Sequence, residues 1–335
     1  MKGLGAQMEA DMRAQPEVLR ALASAERPDL GPPPEAIVIV ARGSSDYAAI
    51  FGRYLLEAAT GRPVALAAPS LQTLYGVESR LTGWLALGIS QSGRTPEIAT
   101  VLDRYRRAGA RTLAITNDPD SPLARSADAA IALAAGDEGA VPATKTFTAQ
   151  LAALALVAEA LGSVPWTPAD WSRVPGAVSE VLDDFAAAER AAARLDGADE
   201  LVALGRGYLM PVALEAALKL REAARLRAEG WSAADFRHGP VTVAGARLPV
   251  LAVSASGPAA ADVAELAGEL ESGGATVLRL ADDPRVDLPY PGELAEPLSA
   301  LPAAVRAQQL ALALARRRGL DPDSPPGLRK VTPTR

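Results

Sequence analysis

Short runs of consecutive apolar residues recur along the chain, set off by Gly, Pro and Ser and separated by longer stretches of helical period. The first run, Ala36–Val40, follows Gly31-Pro32-Pro33-Pro34 and has no polar position to turn toward water. That is the pattern of a strand buried on both faces. Ahead of it, residues 1 to about 32 read as a helix with a polar outer face. After it the pattern predicts a helix over 46–60, a strand over 64–67, a helix around 71–81, a strand over 84–89 and a helix over 96–108. Strands over 111–115 and 129–133 and a strong helix over 145–161 follow. Residues 162–174, rich in Pro and Trp, read as a linker. The alternation then restarts with a strand over 201–204, a helix from 211 to about 227, a strand over 248–254, a helix over 259–272 and a strand over 276–280. A last helix over 298–318 leads into a Pro-rich tail. Such alternation implies parallel α/β sheets covered by helices. The expected organisation is two similar doubly wound domains, 1–165 and 191–335, joined by a linker/helix over 166–190.

Composition narrows the function classes. A chain of 335 residues suits about two domains. Its 49% hydrophobic and 22% charged residues suit a packed globular protein. Aromatics are 4% and the net charge is -6, which argues against nucleic acid: neither stacking platforms nor a basic surface is on offer. No stretch approaches about 18 uninterrupted apolar residues, so no membrane span is expected. Lys2, Glu9, Asp11 and Arg13 interrupt any secretory signal core, and a cytoplasmic location is expected. There is no cysteine and a single histidine, His238, which rules out disulfides, thiolate metal sites and a His cluster within one chain.

The most informative segment is Gly88-Ile89-Ser90-Gln91-Ser92-Gly93-Arg94-Thr95-Pro96-Glu97, where a buried strand gives way to a helix. The hydroxyls of Ser90, Ser92 and Thr95 suit an anion, Gly93 lets backbone approach closely, and the following helix turns unsatisfied N–H groups toward the same place. Taken singly, Ser92 or Thr95 reads equally well as a helix cap. Ala41-Arg42-Gly43-Ser44-Ser45-Asp46 has the same character directly after another strand. Two such loops can line one crevice at the carboxyl edge of a parallel sheet. No Gly-Lys-Ser/Thr follows either loop and neither holds Gly-x-Gly-x-x-Gly, so a phosphate ester smaller than a nucleotide is expected.

These two loops, with Gly139-Ala140-Val141-Pro142-Ala143-Thr144-Lys145, resemble a sugar isomerase (SIS) domain. The run Ala213–Glu222 and Arg237-His238-Gly239-Pro240 resemble the second SIS domain of the glucosamine-6-phosphate synthase isomerase unit. The resemblance covers nearly the whole chain in order. It implies two tandem SIS domains, each a flavodoxin-like parallel sheet in a three-layer α/β/α sandwich. More narrowly, Arg42, Ala68-Pro69-Ser70 and Arg94 in their loops look most like the SIS-type glucosamine-6-phosphate deaminases. With no cysteine nucleophile and no glutaminase segment in this chain, removal of the amino group is the expected direction.

The resemblance also implies roles. Gly43, Ser44, Ser45, Ser90, Gln91, Ser92 and Thr95 would hold the substrate, with Val141 and Ala143 of the third loop and Glu215. Glu215, Lys219 and Glu222 fall at i, i+4 and i+7, on one helix face. From spacing alone this reads as readily as a surface Glu–Lys ladder. By resemblance Glu222 moves the proton between C1 and C2 of the open-chain sugar, with Lys219 in the same catalytic group, a task for a carboxylate when partial burial lifts its pKa. His238 matches a histidine that assists ring opening across a subunit boundary, which implies a homodimer. Gly327–Thr332 matches a tail that brings in a lysine, Lys330, for Schiff-base chemistry or charge beside the leaving nitrogen; a solvated basic tail reads equally well. The substrate is then a phosphorylated amino sugar, and no cofactor, metal, nucleic acid or membrane is called for. Two rivals stand beside deamination: a deglycase or ketose–aldose isomerase for another amino or N-linked sugar phosphate, and a non-catalytic phosphosugar sensor.

Overall fold

The computed structural model describes residues 3–328 and 330. Two short helices open the chain, α1 (Ala6–Arg13) and α2 (Gln15–Ala23), in place of one continuous helix to residue 32. There follow β1 (Ala36–Val40), α3 (Ser44–Thr60), β2 (Val64–Leu66), α4 (Pro69–Thr73), β3 (Trp84–Ile89) and α5 (Pro96–Arg107). Next come β4 (Arg111–Thr116), α6 (Pro122–Arg125), β5 (Ala129–Ala132) and α7 (Lys145–Leu161). The remainder holds α8 (Pro168–Asp183), α9 (Phe185–Arg194), β6 (Glu200–Gly205), α10 (Met210–Ala224), β7 (Arg227–Ser232), α11 (Ala233–Arg237), β8 (Val250–Val253), α12 (Ala260–Ser272), β9 (Val277–Ala281), β10 (Leu288–Pro289) and α13 (Glu296–Arg317).

Contacts divide the chain into two units. The first comprises residues 18–137 and 145–165; the second comprises residues 3–17, Glu138–Thr144 and Trp166–Leu328. Thus α1 and the 138–144 loop, expected in the first domain, belong to the second unit. The linker/helix expected over 166–190 is helical, as α8 and α9, and belongs to that unit. Thr167 caps α8 by accepting from Asp170 N while Asp170 accepts from Thr167 N, a reciprocal capping box, and Pro168 supplies a preset first turn.

In the first unit five parallel strands run in the order β2-β1-β3-β4-β5. Ile37–Ile39 pair with Val64–Leu66 on one side, and Ala36–Val40 with Trp84–Gly88 on the other. The strand order reverses at β1, so the loops after β1 and β3 diverge there and leave a crevice at their carboxyl ends. Every residue of β1 is buried, as its run of Ile and Val demands; β5, at the edge, is largely exposed.

The second unit repeats the order as β7-β6-β8-β9-β10, all parallel. Residues 225–227, expected to close a helix, leave it instead: the chain turns at Arg225 and Leu226 and is strand from Arg227. Arg225 adopts φ 52° and Leu226 N donates to Leu220 O, which stops α10 and frees the chain to pair as β7. Gly230 lets α10 approach closely: a Cβ there would lie 2.6 Å from Leu214 Cα. The 22-residue α13 is long and apolar enough to cross a membrane, yet its apolar stretch is wholly buried in the fold. Its polar residues are stitched to neighbours of the same unit: Arg306 Nε donates to Pro289 O at 2.7 Å and Gln309 Nε2 to Val181 O at 2.8 Å.

Candidate functional site

The crevice of the first unit is built from neutral donors. Gly43, at φ 61° and ψ -137°, swings the chain from β1 into α3 and leaves Ser44 and Ser45 on its first turn. Ser45 is buried, and its Oγ accepts from Gln150 Nε2 of α7 at 2.9 Å. With that lone pair engaged, the Ser45 O–H is left to donate to a ligand. Gln150 is itself 1% exposed, and among the described residues its Oε1 has no hydrogen-bond partner. Sequence reading missed this residue, because nothing in the apolar run of α7 marks it. Gln150→Leu is expected to leave thermal stability unchanged or slightly raised, since an unmatched carbonyl disappears. Affinity for inorganic phosphate, used as the probe of the crevice, should fall about 5- to 10-fold, the worth of one hydrogen bond, by calorimetry. A large drop in melting temperature with unchanged affinity would reduce Gln150 to a packing residue.

Across the crevice Ser90 is buried, with its Oγ 3.5 Å from Thr95 Oγ1. Thr95 stands at the N-cap of α5 but makes no side-chain cap bond, so capping does not account for it. Ser92 does serve locally, accepting from Arg94 N at 3.2 Å; Gln91 is partly exposed. Gly93 has φ +60°, and a Cβ there would stand 2.1 Å from Ser121 Oγ, so only glycine fits. The nearby arginines are committed to loop structure. Arg42 makes a two-pronged pair with Glu97 (3.0 and 3.2 Å), tying the first loop to α5, and Arg94 meets Asp118 at 3.0 Å. Burial pushes the Asp46 carboxyl above its ordinary range, against the pull of Arg42. An anion here would be met by hydroxyls, backbone N–H groups and the α5 dipole more than by free cations.

The second unit holds a buried group of charged side chains. Lys219 is 0% exposed and lies 3.3 Å from Glu215, itself 2% exposed; its Nζ also donates to Glu222. The surface ladder allowed by the spacing is therefore excluded, because the cation and one of its partners are sealed from water. Burial disfavours the Lys219 ammonium, but the carboxylates of Glu215, Glu222 and Glu138 outweigh it and hold the pKa above the usual lysine value. Of the three, only Glu222 reaches solvent appreciably, its side chain 20% exposed.

Glu138, unassigned from sequence, clasps its own loop: Oε1 accepts from Thr144 N at 2.7 Å. Between them Val141 and Ala143 are partly exposed while Ala140 and Pro142 are buried, so alternate residues of the loop are presented. Lys145 donates to Asp137 O at 2.6 Å. His238 is exposed at the end of α11, and among the described residues no hydrogen bond or ion pair engages its imidazole. Its neighbour Arg237 is held by Glu269, Glu265 and Asp262 of α12. Arg206, after β6, pairs with Asp262 at 3.4 Å. Lys330 is half-buried, and the tail beyond it lies outside the described residues. Among the described residues no group of three or more His, Asp and Glu side chains could hold a metal ion.

The profile of the SIS domain matches residues 33–160 and 195–289. The glutamine–fructose-6-phosphate aminotransferase (isomerizing) of Gloeobacter violaceus is 34% identical over 314 residues, which is 88% of this chain and 51% of that protein. The chain spans about half the length of the curated relatives it matches. Among solved structures, the C-terminal domain of glucosamine-fructose-6-phosphate aminotransferase from Francisella tularensis has the same fold, with TM-score 0.84 at 24% identity over 95% of this chain and 98% of that one. Glucosamine-6-phosphate deaminase from Thermotoga maritima aligns with TM-score 0.81 at 26% identity, covering 98% of this chain and 100% of that one.

Proposed function

The chain belongs to the SIS-domain family, and on that premise we propose that it is an enzyme converting glucosamine 6-phosphate to fructose 6-phosphate and ammonia. We take each unit as one SIS domain in a three-layer sandwich, the two in tandem. The observation that carries the reading is Glu222: one carboxylate of a group fixed by a buried ammonium, and the one open to solvent. A phosphosugar sensor has no use for such a group.

In this reading Ser45, Ser90, Ser92 and Thr95 donate to the phosphate, and Gly43, Ser44 and Gln91 complete the cradle with backbone and amide groups. Val141 and Ala143 offer their loop backbone to the sugar. His238 opens the pyranose, moving a proton from the C1 hydroxyl to the ring oxygen. Its exposure suits service to a neighbouring subunit's sugar in a homodimer. Glu222 takes the proton from C2 and returns it to C1, leaving an imine at C2. Water adds to that carbon and ammonia departs, so substrate and one water balance ketose phosphate and ammonia. Lys219 holds Glu222 in place, with Glu215 completing the pair. Lys330 would place positive charge, or a Schiff base, at the ketose carbon.

The test is direct. The protein with glucosamine 6-phosphate at neutral pH is expected to release ammonia and fructose 6-phosphate in equal amounts. Aldose–ketose interconversion without ammonia would instead favour the isomerase reading, which the isomerizing activity named for the curated relatives supports. No change in any sugar phosphate would sink both.

A further inference from the structure

Helix α1 has eight residues, fewer than an isolated helix needs to persist in water, and its N-cap, Gly5 at φ 68°, has no side chain to offer. The caps come from beyond α13. Asp321 Oδ1 accepts from Gly5 N at 3.0 Å, and the Asp323 carboxylate accepts from Gln7 N at 2.8 Å and Met8 N at 2.9 Å. Asp323 N in turn donates to Asp321 Oδ1 at 3.1 Å, which holds the two acids together. Arg316 adds two more ties, to Leu4 O at 2.9 Å and to Glu9 at 2.6 Å.

The same helix grips the 138–144 loop. Asp11, buried, accepts from Ala140 N at 3.0 Å, and Gly139 leaves so little room that a Cβ would stand 2.7 Å from Gln7 Oε1. Just past α1, the fully buried Gln15 donates to Gln308 Oε1 at 3.0 Å, and Gln308 donates to Thr144 O at 3.2 Å. This is the loop whose Glu138 acts on Lys219 and which presents Val141 and Ala143.

We propose that Asp321 and Asp323 are positioning residues for the 138–144 loop, acting through α1: the tail orders the helix, and the helix orders the loop. The order of residues 321–323 then sets how often the loop stands ready for a sugar phosphate. The kinetic part of this inference rests on the function proposed above; the structural part does not.

The experiment is Asp323→Ala in the full chain, followed by amide hydrogen exchange and steady-state kinetics. Exchange at Gln7, Met8 and Ala140 is expected to quicken together by about 5- to 10-fold, the size of a lost cap, while β1 and β3 amides keep wild-type rates. With glucosamine 6-phosphate, KM should rise several-fold and kcat change less, since the loop holds substrate and leaves the proton-transferring group in place. Asp323→Asn, which keeps one acceptor oxygen, should fall between wild type and alanine, and serves alone if the alanine variant does not fold. Faster exchange at Gln7 and Met8 with Ala140 unchanged would overturn the proposal, leaving the aspartates as caps of α1 only. If the wild type does not turn over the sugar phosphate, the functional reading fails while the exchange data still decide the coupling.

Discussion

Methionine in place of Lys219 is expected to destabilise the protein by about 3–5 kcal/mol, the cost of stranding buried carboxylates without their counter-ion. Methionine nearly fills the space of the lysine stem, so loss of volume is a minor part. What is lost is the buried ammonium on which the carboxylates of Glu215, Glu222 and Glu138 act, two of them sealed from solvent with it. The pH dependence carries the sign. Since the folded-state pKa of Lys219 is raised, its contribution in wild type is fully present below the unfolded value near 10.5 and fades only as pH rises through the folded pKa. Across neutral pH the wild type should therefore show no slope from this group. In the variant the carboxylates that faced the ammonium gain by binding protons, so the deficit should shrink as pH falls toward 5. Chemical denaturation at pH 8 and pH 5 measures this. An equal deficit at both values would mean that packing, and not charge, was removed.

Glu222→Gln should cost about 10²- to 10⁴-fold in kcat, the usual worth of a positioned general base, with KM little changed. Glutamine keeps the shape and one acceptor for Lys219 Nζ while removing the proton-accepting charge. The group is left with two carboxylates for one ammonium, so stability should hold to within about 1 kcal/mol. Solvent deuterium entering fructose 6-phosphate at C1 is a second readout, and it should disappear with turnover. Full turnover in this variant would sink the mechanism and leave the fold untouched.

The hydroxyl loops were legible because their chemistry sits where the apolar pattern changes from strand to helix, and each residue there is read from local sequence. Gln150 was not, because the contact with Ser45 joins positions 105 residues apart and a lone Gln in an apolar helix has many uses. The Glu215–Lys219–Glu222 spacing was legible, but its burial was not: a helix face of Glu and Lys looks the same in water and in a core. The end of α10 was overrun because a non-glycine residue, Arg225, takes the left-handed turn that glycine usually marks. Thr167-Pro168-Ala169-Asp170 carried a full start signal for α8, outweighed by the Pro and Trp around it. The mixing of segments between units follows from contacts across more than 300 positions, which no local pattern encodes.

That mixing bears on how the molecule is made. The first unit draws its helices and strands almost wholly from residues 18–165, so once those have left the ribosome it holds nearly everything it needs to close. The second cannot, because its opening helix waits on Asp321 and Asp323. Among the described helices α1 is synthesised ahead of the rest, and it must be among the last to settle. In the interval its Met8 and Met12, buried in the finished protein, stay exposed on a nascent chain, a hazard that early closure of the first unit cannot remove.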